Sequence, residues 1–158
     1  MKSKMKNKTL IFAAAFAVVL TLAGLTSAQN KCTEAGSIRS VSKASSGNFE
    51  TVTFDVMIKK PDFKVTRARP PFSEYGSEKR LRIRGRYFQS IVFRGINWEC
   101  KIAEALSAST TNIKAVKSIE QFEGQVEYII GYDKRGSYVG QSVTRTRKGS
   151  RVTLKFRK

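Results

Sequence analysis

The sequence predicts an all-β fold, an antiparallel β-sandwich of about seven to eight short strands with one short helix. Three observations carry this expectation. Apolar and polar residues alternate with period two in several stretches after Phe49, the pattern of strands with one buried face. Glycine, proline and Asp-rich breaks separate those stretches at short intervals, so the connections are turns. The domain is also small, long enough for a single modest core.

The first 28 residues read as a secretory signal peptide. Lys2, Lys4, Lys6 and Lys8 form a positive start, Leu10 to Leu25 is apolar apart from Thr21, and Thr26-Ser27-Ala28 supplies small residues at a cleavage position. The apolar run is short for a membrane span, which takes ~20 residues. Cleavage after Ala28 leaves a mature chain with no stable membrane anchor; an uncleaved N-terminal anchor is the rival arrangement. Cys32 sits among Gln29, Asn30 and Lys31, which do not suit lipid attachment. Residues 29–48, rich in Ser, Gly, Ala and Lys, read as a flexible arm ahead of a domain spanning 49–158.

The elements follow in order. Val52, Phe54, Val56 and Ile58 alternate with Thr51, Thr53, Asp55 and Met57 in a half-buried strand, broken at Lys60-Pro61-Asp62. Phe63 and Val65 resume it until Arg69-Pro70-Pro71, since proline lacks the N–H a central strand needs. A loop runs from Pro70 to Ser77. Leu81 and Ile83 then alternate with Arg80, Arg82 and Arg84, and Gly85 marks a bend or bulge. Tyr87 to Phe93 is a strand ended by Gly95. Trp98, Ile102 and Leu106 are spaced for the short helix. Ile113 to Ile119 and Val126 to Ile130 are strands, and Asp133 to Gly136 is a turn. Ser137 to Thr146 and Arg151 to Phe156 close the domain through a hairpin-like turn at Lys148-Gly149-Ser150.

Charge and composition narrow the chemistry. The chain carries 30 Lys and Arg against 12 Asp and Glu. The leader holds four of those cations and no acid, so the mature domain keeps a net charge of +14. Such a charge attracts polyanions, although it also serves simply as a solvated surface. With no histidine, a Ser-His-Asp or Cys-His apparatus is impossible, and His-based zinc sites are excluded. No P-loop or other cofactor motif is present, so no cofactor or metal is expected. Glu120, Glu123 and Glu127 leave open a carboxylate-based hydrolysis of glycans. Cys32 and Cys100 are the only cysteines, and export favours pairing them; a free or intermolecular thiol is the alternative.

The positive signals concern binding. Arg80, Arg82, Arg84 and Arg86 would form a ladder on one strand face at ~7 Å pitch, suited to a linear polymer with repeating anionic groups. Arg145, Arg147, Arg151 and Lys155 supply a second stripe. Basic strands also deter sheet-to-sheet aggregation, a blander use of the same residues.

Phe49 to Val56 followed by Pro61-Asp62-Phe63-Lys64-Val65 resembles the opening strand and proline corner of the AMIN-like domain family. Val116 to Val126, with Phe122-Glu123-Gly124, is similar to its most distinctive stretch, and Ser150-Arg151-Val152-Thr153-Leu154 to its closing strand. The resemblance covers 49–158. It implies a bacterial exported β-sandwich, related to non-catalytic modules associated with peptidoglycan. The family's closing aspartate is absent here, where Lys155 or Phe156 stands, and 98–112 reads as an insertion.

The expectation is therefore a secreted, non-enzymatic protein of the periplasm or extracellular cell wall. It would bind peptidoglycan or another anionic wall polymer through a basic strand face. A structural role with an envelope protein partner and a wall glycan hydrolase are the alternatives. Export argues against nucleic acid as a partner.

Overall fold

A computed structural model describes residues 26–29, 34–77, 79–97, 105–106 and 110–158. Twelve strands occur among them: β1 Thr26–Gln29, β2 Ile38–Ser46, β3 Phe49–Val56, β4 Asp62–Ala68, β5 Phe72–Ser73 and β6 Arg80–Leu81, then β7 Tyr87–Arg94, β8 Ala105–Leu106, β9 Ile113–Phe122, β10 Gln125–Tyr132, β11 Tyr138–Arg145 and β12 Ser150–Arg157. Eight of these have seven or more residues, in line with the strand number expected.

Sheet A has the order β1-β2-β3-β12-β11 and sheet B the order β4-β7-β10-β9-β8, while β5 and β6 pair with each other alone. Every pairing is antiparallel. Period-two alternation sends Val52, Phe54 and Val56 of β3 inward, with Val152, Leu154 and Phe156 of β12 beside them. They meet Ile91 and Phe93 of β7 and Val126, Tyr128 and Ile130 of β10 in one buried cluster. Phe54 packs on Phe93 and Tyr128 with ring centroids 5.2 and 5.0 Å apart, which locks the two sheets face to face. Fully burying each such side chain contributes roughly 1.5–3 kcal/mol.

A second, smaller cluster lies on the outer face of sheet B. Phe72, Phe88 and Ile129 are buried there under Leu81 and Ile83. The β5–β6 hairpin and the extended segment after it thus form a partial third layer.

A buried polar network ties the loops at one end of the sandwich. Glu50 is fully buried, and its carboxylate accepts from Thr110 Oγ1 at 2.6 Å and from the backbone N–H of Asn112 (3.1 Å) and Ile113 (2.7 Å). The Asn112 amide donates to Ser137 Oγ (2.9 Å) and the Arg157 carbonyl (2.8 Å). Its Oδ1 accepts from the N–H of Asp133 (3.1 Å) and Lys134 (2.9 Å).

Three expectations are corrected. The stretch 29–48 is not a flexible arm throughout, because β2 is an integral strand with Ile38 and Val41 in the core. A register shift between Ile38 and Ser40 breaks its alternation, and serines fill most outward positions. The helix expected from Trp98 to Leu106 is not seen at its end, where Ala105 and Leu106 pair with Lys117 and Val116; 98–104 lies outside the described residues. Residues 82–85 belong to no strand, so the arginine run is not one strand face. Cys32, Cys100 and the leader up to Leu25 also lie outside the described residues. Thr26 to Ala28, the end of the expected leader, belong to β1 on the edge of β2.

Candidate anion-binding site

The structure spreads the cations singled out in the sequence over several separate surfaces. Arg80, Arg82 and Arg84 are exposed on the extended segment that crosses the outside of sheet B, because Leu81 and Ile83 turn inward onto Phe88 and Ile129. Arg86 continues the segment to the end of the sandwich. The backbone path there depends on Gly131, whose hypothetical Cβ would lie 1.9 Å from the Arg84 carbonyl oxygen. Gly85, at φ +137°, packs directly on the backbone of Tyr132, and Arg86 N–H donates to the Tyr132 carbonyl at 3.0 Å.

Arg151 and Lys155 stand on the outer face of sheet A, on the opposite side of the molecule. The neighbouring outward positions are mostly hydroxylic. Register places Ser42, Thr53, Thr153 and Ser142 in one row across four strands, with the Thr53 and Thr153 hydroxyls 3.1 Å apart. Lys155 Nζ sits over the Phe49 ring at 3.7 Å from its centroid, a cation–π contact. Arg147 lines a shallow pocket of about 220 Å³ beside the paired Arg39 and Asp55. Arg145 ends β11 on the edge of the sheet. The second stripe is therefore divided between a sheet face, a turn and an edge.

A larger cleft lies at the end of sheet B. This cleft of about 310 Å³ is lined by Arg67, Arg69, Arg86 and Arg135 together with Tyr87 and Tyr132, and among the described residues no acidic one lines it. Each side chain is placed by an element. Arg67 follows Phe63 and Val65 along the inward row of β4, and Tyr87 and Tyr132 are register partners at the ends of β7 and β10. Their rings lie 6.0 Å apart, and Tyr132 also packs on Phe156 at 5.2 Å. Arg135 rides on the turn that Asn112 holds through Asp133 and Lys134. Pro70, joined to Pro71 by a cis bond, closes the other rim.

Burial pushes the Tyr132 hydroxyl above the ordinary phenol range, Arg67 opposes this and Tyr87 adds to it. The ring therefore stays neutral and can donate a hydrogen bond. Four guanidinium groups beside two tyrosine rings are an arrangement that can hold an anion bearing a flat or ring-shaped neighbour.

Of the cleft cations, sequence reasoning singled out only Arg86. Arg67 and Arg69 carried a usable signal, a period-two pair running into the prolines. Arg135 carried none, since its turn reaches the site only through the tertiary network. Glu120 and Glu127 are cross-strand partners in β9 and β10. Burial first, and Glu127 second, hold the Glu120 carboxyl above the usual range. Glu123 occupies the following turn with φ +47°, between Phe122 and Gly124 of the same hairpin.

No known family, curated protein or solved structure matches the chain.

Proposed function

We propose that this chain is a non-enzymatic, exported cell-envelope domain that binds an anionic wall polymer, with peptidoglycan the principal candidate. The observation that carries the reading is the cleft, where four arginines converge and, among the described residues, no acid joins them. The leader-like N-terminus and the AMIN-like stretches support an envelope setting, and the +18 charge of the full chain supports long-range attraction to the polymer. The basic strand face first expected gives way to a basic sandwich end, fed by the arginine segment on sheet B.

Pelleting with purified sacculi across a salt series tests this. Binding is expected at low salt and should weaken as salt screens the charges. Arg67→Ala with Arg86→Ala should lower affinity about tenfold or more, the scale of losing charge-assisted hydrogen bonds. Failure to pellet at low salt, or pelleting indifferent to both substitutions, removes the proposal.

One observation favours a second reading. Glu120 and Glu127 face each other, and the raised Glu120 carboxyl beside a second carboxylate is an arrangement used in glycoside hydrolysis. Release of labelled fragments from sacculi, abolished by Glu120→Gln, would establish it. A lack of products would retire it.

A further inference from the structure

The cleft is one end of a longer feature. Tyr75 and Phe122 form an exposed aromatic pair, 55% and 41% accessible, with ring centroids 4.7 Å apart and planes tilted by 35°. Exposed rings are costly to display, and two in contact make a patch that asks for a partner. The pair is also held in place. Tyr75 N–H donates to the Ile119 carbonyl at 3.2 Å, and Glu74 N–H to the Lys79 carbonyl at 3.0 Å, which fixes the tip of the β5–β6 hairpin against β9. Phe122 is fixed by the tight β9–β10 turn, where Glu123 and Gly124 both take positive φ and Gly124 accepts from Ile96 N–H at 2.9 Å.

The same hairpin leads straight into the arginine segment. Arg80 pairs with Ser73, and Arg82 and Arg84 follow on the exposed side while Leu81 and Ile83 anchor the other. Arg86 then enters the cleft. Six residue steps of extended chain cover about 20 Å. A platform of two rings, a line of guanidinium groups and an arginine cleft thus lie in one order along sheet B.

We infer that this surface is a track for an anionic glycan chain, with one pyranose ring stacked on Tyr75 and Phe122 and acidic groups of the following residues on Arg80, Arg82 and Arg86. This rests on the polyanion reading and names its ligand class. Pyranose C–H groups carry partial positive charge and meet the negative faces of aromatic rings. Glu74 and Glu123 flank the platform, so the attraction for acidic groups comes from the arginine segment and the platform itself contributes shape and apolar contact. A polyanion without rings would use the arginines and ignore the platform.

Two probes separate these contributions: a hexamer of galacturonate, and linear polyphosphate of matched charge. Tyr75→Ala with Phe122→Ala should weaken the hexauronate about five- to tenfold and leave polyphosphate unchanged. The ring-preserving pair Tyr75→Phe with Phe122→Tyr should bind like the parent, which guards against a misfolded variant. A uronate dimer should bind much more weakly than the hexamer. Equal losses for both probes, no loss for either, or a dimer as tight as the hexamer overturns the track. Polyphosphate binding that depends on Arg67 and Arg86 keeps the cleft reading even then; binding of neither probe overturns both.

Discussion

Among the described residues, two buried polar atoms have no hydrogen-bond partner, Lys43 Nζ and Tyr128 OH. Burial pushes the phenol's pKa up, so it stays neutral and its cost is confined to an unpaired hydroxyl. The amine is the costlier group. Lys43 is 1% accessible, and burial lowers its pKa, with Glu50 opposing the shift and Arg84 adding to it. A lowered pKa means the folded state binds fewer protons than the unfolded chain, so this residue's penalty is greatest at low pH and fades as pH rises toward the ordinary lysine value. Lys43→Met keeps the volume and removes the amine. It is expected to raise stability by ~1–2 kcal/mol near neutral pH, with the gain shrinking in alkaline buffer. Denaturant titrations at two pH values check this, and a loss of stability would mean that the amine has a favourable role. Glu50 shows the contrary case, a buried carboxylate fully used by a hydroxyl and two backbone donors.

At the scale of elements, the segment from Arg80 to Arg86 depends on the absence of a side chain at Gly131. Gly131→Ala sets a methyl group against the Arg84 carbonyl, and backbone cannot yield as a flexible side chain can. The variant is expected to lose roughly 1–3 kcal/mol of stability and to bind polyphosphate less tightly, because Arg84 and Arg86 are lifted from their places. Unchanged binding would separate the segment from ligand capture. This segment also shows how far the sequence could be read. Alternation told correctly which side chains turn inward, since sidedness needs only an apolar surface underneath. It could not tell that residues 82–85 lie outside any strand, because period two says nothing about where backbone hydrogen bonds go. β2 escaped notice for the opposite reason. It pairs with β3 from Ile38 to Ser46 except at Arg39, and that irregularity together with the inward Lys43 disguises its pattern. The cleft was legible only at Arg86, because it is assembled from the ends of β4, β7 and β10 and a turn held by Asn112.

At the scale of the whole molecule, the cations do not converge on a single surface. Arg80, Arg82 and the cleft belong to sheet B, while Arg151 and Lys155 look the other way from sheet A, amid the hydroxyl row of Ser42, Thr53, Thr153 and Ser142. If both sides capture polyanion as proposed, one small domain has a valency of two. Such a molecule cross-links when polymer is plentiful enough to reach both sides, and merely coats each chain when protein is in excess. Turbidity of a polyphosphate solution should therefore rise and then fall as protein is added, and Arg151→Glu with Lys155→Glu should flatten the peak while leaving tight binding at the cleft. A monotonic curve in the parent protein would restrict capture to one side. With capture on both sides, the opposed faces would act as mortar between neighbouring strands of a wall, a role defined by how many chains are gathered and not by how firmly any one is held.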